Sequence, residues 1–171
     1  MKILLFVIAG LVLVVLWVVV TGALLPKAHV ASRRAVFRAK QQDLFTMIAG
    51  PQGWRSDVTG YVPVADPGGR ELVRETTRNG ETITYELLDK EPPNGIKRRI
   101  ATEGLPYAGT WTFTLQPGSD GTVVVRITEN GEVYNPVFRF MSRFVIGHTS
   151  SMDAYLRSLG NALGQGADIG N

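Results

Sequence analysis

VVVRITENGEV, residues 123–133, is the stretch on which the fold turns. Val123, Val125 and Ile127 alternate with Thr122, Val124, Arg126 and Thr128, the period of a half-buried strand. Two residues further along, the same apolar face reaches Glu129. Burying an unpaired carboxylate costs several kcal/mol, so Glu129 needs a partner, a water-filled pocket or a position at a mouth.

Working outward, the segments before this strand read as extended. "GTWTFTLQP" (109–117) alternates with Trp111, Phe113 and Leu115 on one side and threonines on the other. Further strands are expected over 29–39, 54–64, 70–77, 81–90 and 96–103, with Asn79-Gly80 as a two-residue hairpin turn. "KQQDLFTMIAG" (40–50) predicts a short helix stopped at Gly50-Pro51. After Asn135-Pro136 the period changes. Met141, Val145, His148, Met152, Leu156, Leu159 and Leu163 form one stripe at three- or four-residue steps, predicting a long amphipathic helix weakened or bent at Gly147. A curved antiparallel sheet cannot leave its apolar face in water, so this helix must cover it. The fold class is α+β, a seven-stranded antiparallel sheet wrapped on a long C-terminal helix.

The chain has 171 residues, 44% of them hydrophobic, and its apolar residues are unevenly spread. Ile3 to Leu25 contains no charge, and Pro26 and Lys27 end it. As a helix it spans roughly 34 Å, enough for a bilayer core of about 30 Å. A cleaved signal peptide has a shorter core and a small-residue cleavage pattern, which "TGALLPK" does not offer. Residues 1–27 therefore read as a single-pass transmembrane anchor, 28–164 as the folded domain and 165–171 as a flexible tail. Lys27, Arg33, Arg34, Arg38 and Lys40 follow the span while only Lys2 precedes it, which places the domain on the cytoplasmic side.

Composition excludes several chemistries. Without cysteine there is no disulfide, zinc-thiolate site or thiol nucleophile. The net charge of +3 is mild and its basic residues are interleaved with others, so nucleic acid is not an expected partner. Two well-separated histidines, with no HxH or HExxH, argue against a metal, and no Walker, G-x-S-x-G or dinucleotide-binding motif points to a cofactor.

The order of elements, with "GTWTFTLQPGSDGTVVVRITENGEVYNPVFRFMSRFVIG" (109–147), resembles the SRPBCC superfamily, the START/Bet v 1-like domains often called polyketide cyclase/dehydrase-like in bacteria. The likeness covers about 28–163 and is strongest in the Gly-x-Trp strand, the Thr-Glu-x-Gly turn and Asn-Pro-x-x-Arg-Phe. It departs in the third strand, where similar sequences often carry Trp two residues before a Glu and this one has Val73 before Glu75. The resemblance implies a helix-grip fold with a deep apolar cavity between sheet and C-terminal helix, holding a lipid, sterol or aromatic molecule.

Candidate ligand-binding residues follow. Glu129 sits either at the polar end of such a cavity or at a strand end, accepting hydrogen bonds from the turn at Asn130-Gly131. Arg98, flanked by Ile96 and Ile100 at the strand period, points inward and is its candidate partner. His148 interrupts the apolar stripe of the long helix, where its near-neutral pKa suits proton exchange with a polar group. Tyr85, Trp111, Phe113 and Phe138 serve either as cavity wall or as core, and Met152 shares the helical stripe. Arg139 and Arg143 suggest an ion pair with the acidic 129–132 stretch, and His29 has no motif around it. Three functions remain open. The favoured one is membrane-tethered binding of a hydrophobic small molecule or lipid. The alternatives are a cyclase- or hydratase-type enzyme using Glu129 and His148 as acid and base, and an accessory domain acting through protein contacts.

Overall fold

The computed structural model describes residues 2–171. It opens with helix α1 (Lys2–Leu24), which is long and apolar enough to cross a membrane. Strand β1 (Ala28–Arg38) and helix α2 (Gln41–Ala49) follow. Six strands then run β2 (Val58–Val64), β3 (Leu72–Thr77), β4 (Thr82–Glu91), β5 (Gly95–Ile100), β6 (Tyr107–Pro117) and β7 (Thr122–Val133). The C-terminal part comprises α3 (Pro136–Met141), a π-helical turn (Ser142–Ile146), α4 (Ser150–Ala162) and a two-residue strand β8 (Ile169–Gly170).

All eight strands form one antiparallel sheet in the order β2-β3-β4-β5-β6-β7-β1-β8. The expected α+β class holds, with one strand more than the seven anticipated. The extra strand comes from the C-terminal residues expected to fray. Ile169 and Gly170 pair with Ala35 and Arg34 of β1. The Gln165 side-chain amide also bonds Arg38 at both its backbone N–H and its carbonyl, at 3.0 and 3.1 Å. A primary amide offers a donor and an acceptor like a peptide group, so Gln165 satisfies the exposed edge of β1 as another strand would.

The second departure is in the long helix. Gly147 has φ +84° and ψ 146°, a backbone region essentially restricted to glycine, and it separates the π turn from α4. Asn135 starts α3: its side-chain oxygen accepts from the Val137 and Phe138 amides, and Pro136 occupies the first turn. Only the α4 half of the predicted stripe covers the sheet. Met152, Leu156 and Leu159 are buried, whereas Val145 is exposed. The α3 half leans on α1 instead. Arg139 donates to the carbonyls of Ala23 and Leu25, and Phe140 meets Trp17 edge-on with ring centroids 5.3 Å apart. Gly22 lies so close to the Pro136 carbonyl that a side chain there would overlap it. Arg139 is thus committed to the end of α1 and makes no ion pair with residues 129–132.

Strand directions divide the interior. β1 and β7 are paired from Ala28–Glu132 at the end where α1 leaves to Arg38–Thr122 at the other. At the far end Phe37, Leu115, Val123 and Val125 pack solidly with Leu44, Ile48, Leu156 and Leu159. Each such buried side chain contributes roughly 1.5–3 kcal/mol. At the α1 end the same sheet face is not filled.

Candidate functional site

The unfilled half is a cavity of about 460 Å³, within the range of about 300–1,000 Å³ typical of small-molecule sites. Its walls include Ile83, Tyr85, Ile100, Trp111, Phe113 and Tyr155. This resolves the carboxylate at residue 129. Along β7 the inward face passes from solid core at Val123, Val125 and Ile127 into cavity wall at Glu129.

Cross-strand register explains which groups meet there. Arg98 lies opposite Trp111, and Trp111 lies opposite Glu129. Neighbouring strands are about 4.8 Å apart, so Arg98 and Glu129 sit two strands from each other with the indole between them. The expected Arg98–Glu129 pair therefore does not form. Glu129 instead accepts from the Trp111 indole N–H at 2.7 Å and from His29 Nε2 at 3.0 Å. The His29 ring stacks on His148, with centroids 4.0 Å apart and planes inclined by 28°. Among the described residues neither imidazole nitrogen of His148 has a protein hydrogen-bond partner. Burial, then the neighbouring His29 and Arg143, lower the His148 pKa, while Glu129 opposes them. The ring is thereby held neutral near pH 7, with a nitrogen able to accept a proton.

A second polar cluster lies on the β3–β5 side of the cavity. Glu75, 4% exposed, accepts from Arg55 at 3.1 Å and from Arg98 at 3.3 Å. Arg55 also binds Asp57, at 2.5 Å. Arg98 reaches past Glu75 to the Ile48 carbonyl at 2.6 Å, satisfying an end of α2, while its Nε–H is buried without a partner. The guanidinium groups lie over aromatic rings, Arg98 above Phe113 and Arg55 above Tyr155. The Tyr155 hydroxyl donates to Gln52, itself fully buried and donating to the carbonyls of Ile48 and Gly50 at the end of α2. Burial pushes the Tyr155 hydroxyl up to about 12, so it remains protonated. The buried charges are thus matched, as a low-dielectric site requires.

Of the residues singled out from sequence, Tyr85, Arg98, Trp111, Phe113, Glu129 and His148 all line this cavity. Met152 does not. It is fully buried in the core beneath α4. Phe138 forms part of the rim. His29, Arg55, Glu75 and Tyr155 were missed. His29 was detectable: it shares the inward phase of β1 with Ala31, Ala35 and Phe37. Tyr155 belongs to the i, i+3, i+4 set Met152-Tyr155-Leu156. Nothing local marks Arg55, and Glu75, noted only at the third-strand departure, gains its partnership with Arg55 and Arg98 in three dimensions. Among the described residues no group of three or more His, Asp or Glu is arranged to hold a metal ion.

A curved sheet gripping a C-terminal helix over a half-empty interior defines the helix-grip class of fold. Within that class, the chain belongs to the family of polyketide cyclase / dehydrase and lipid transport proteins, whose model matches residues 28–164. No curated protein matches the sequence. Solved structures share the fold at low identity. Norcoclaurine synthase from Thalictrum flavum superposes with a TM-score of 0.59 at 12% identity, covering 80% of this chain and 86% of its own. A conserved protein from Geobacillus kaustophilus gives 0.62 at 12% identity, covering 82% and 100%. The di-domain ARO/CYC StfQ of the steffimycin biosynthetic pathway gives 0.58 at 14% identity, covering 75% of this chain and 48% of that one.

Proposed function

We infer that this chain binds a hydrophobic small molecule or lipid in the cavity between sheet and α4, tethered to a membrane by α1. The half-filled interior carries this reading. Evolution of a close-packed core would place side chains in that volume, because voids forfeit packing energy. Apolar walls suit an acyl, polyene or aromatic body. His148, on the cavity wall and without a protein hydrogen-bond partner among the described residues, supplies a polar contact for a head group. Tethering raises the local concentration of any ligand that resides in the bilayer. The excess of basic residues after α1 favours the cytoplasmic side for the domain. The full chain in nanodiscs should bind a fluorescent polyene fatty acid saturably, and Ile100→Trp, which adds bulk to the cavity wall, should abolish that binding while the protein stays folded. Equal binding by both proteins contradicts the proposal.

A second reading is supported by the stacked pair. His148 is neutral, unpartnered and adjacent to the His29–Glu129 hydrogen bond, so the cavity holds a proton acceptor and a carboxylate within reach of one substrate. That is the equipment of a cyclase or hydratase working by general acid–base catalysis. Turnover of a polyketide-like or enolisable substrate that His148→Asn eliminates, without loss of binding, would establish it. Binding that His148→Asn leaves intact, with no turnover by either protein, supports the carrier role.

A further inference from the structure

The segment 137–146 presents an apolar surface that the ligand cavity does not explain. Val137, Phe138, Phe144, Val145 and Ile146 are each 42–63% exposed, five large hydrophobic side chains within ten residues. Soluble surfaces seldom concentrate apolar groups in this way without a partner. Three contacts fix where this surface sits relative to α1: Gly22 against Pro136, Arg139 on the carbonyls of Ala23 and Leu25, and Phe140 against Trp17. Trp17 lies seven residues before the end of α1, about 10 Å along the helix axis. A segment that packs beside Trp17 is therefore at the depth of the last two turns of the anchor. Helices lying in a membrane interface bury their apolar faces about 5–10 Å below the surface, a matching depth. Lys27 and Arg143 are exposed nearby in sequence, where anionic head groups would receive them.

We propose that residues 137–146 are embedded in the head group–acyl boundary of the bilayer beside α1, with the cavity mouth opening against that membrane surface. This rests on α1 spanning the membrane. Phe138 and Ile146 are at once exposed on this surface and part of the cavity rim, together with Gly147 and His148. An apolar ligand leaving the bilayer at this point passes from acyl chains to the Phe138–Ile146 rim without crossing water. The break at Gly147 has a structural use here: it lets the C-terminal segment cover the sheet with α4 and turn its first half toward lipid. The unusual run Phe144-Val145-Ile146, apolar on all sides of its turn, then has a medium to face.

The natural absence of cysteine permits single labelling sites. Phe144→Cys and Val145→Cys, carrying an environment-sensitive fluorophore, are compared in phosphatidylcholine–phosphatidylglycerol liposomes with Val14→Cys inside α1 and Ser119→Cys in the β6–β7 turn at the opposite end of the sheet. The expected result is blue-shifted emission at 144 and 145 with strongest quenching by lipids spin-labelled near the head group. Position 14 should be quenched by lipids labelled deep in the chain, and position 119 by neither. Water-like emission at 144 and 145 with position 14 deeply buried overturns the embedding alone. Water-like emission at position 14 as well overturns the membrane span and the embedding together.

Discussion

His29 stacks face to face on His148, 4.0 Å between centroids, bringing the first strand of the domain against the break before the last helix. Two imidazoles so placed cannot both carry charge cheaply, and Glu129 hydrogen-bonds only the first of them. Burial foremost, then His29 and Arg143, lower the folded-state pKa of His148. The unfolded chain therefore takes up this proton first, as the pH falls past about 6.5. From there down to the lower folded-state value, protons favour unfolding and stability declines; below both values the loss is complete. Chemical denaturation between about pH 7.5 and about pH 5 should show a steeper loss of stability for the native protein than for His148→Asn. Parallel pH profiles would contradict the assignment.

Glu129 is held by an indole and an imidazole, both needing an acceptor at a half-buried position. Glu129→Leu strands both donors and should destabilise the domain by about 1–3 kcal/mol. Glu129→Gln keeps one acceptor oxygen and should cost less. Urea midpoints of the two variants decide this, and equal midpoints for leucine and native protein would remove Glu129 from the wall's polar structure.

The Glu75 carboxylate bridges two guanidinium groups in the interior, those of Arg98 and of Arg55, the latter shared with Asp57. Glu75→Leu leaves Arg98 buried and uncompensated, and removing one partner of such a pair costs about 3–5 kcal/mol. The double variant Glu75→Leu with Arg98→Met should recover much of that loss, because both charges leave together. A strictly additive double variant would show that the pair is not coupled.

The sheet was legible in the sequence because its strands alternate cleanly. Trp111, Phe113 and Leu115 on β6 and Val123, Val125 and Ile127 on β7 fix both the phase and the covered face. The same phase rule placed Arg98 and Glu129 inward. It could not say that Trp111 stands between them, since strand order is a property of the folded sheet. His29 was placed in the first strand, but with no motif around it only its shared phase with Ala31, Ala35 and Phe37 marked it as inward-facing. The helix reading failed at residues 141–148 for a different reason. Their spacing continues the α4 stripe, but a one-dimensional pattern cannot distinguish apolar residues facing a core from apolar residues left on an exposed surface. Gly147 was the visible clue. Arg55 and Glu75 were illegible because each looks like an ordinary strand or loop charge until Arg98 joins them.

Gly147 tests that break. Its backbone conformation is one that residues with a Cβ adopt only at a cost of about 1–3 kcal/mol. Gly147→Ala should lower stability by that amount, or straighten the segment into α4 and draw Phe140 away from α1. Disulfide trapping between Trp17→Cys and Phe140→Cys would report the second outcome as a loss of cross-linking. Unchanged stability together with unchanged cross-linking would show that the turn does not depend on glycine.

Everything functional depends on the space behind Trp111 and Tyr85 being occupied by an apolar guest. The most direct measurement is native mass spectrometry of the chain, expressed with helix α1, extracted in mild detergent and stripped by collisional activation. The account predicts a bound species of discrete mass that survives detergent removal and is absent from Ile100→Trp purified in parallel. A bare chain from both preparations, which also fails to take up added fatty acid, would contradict it.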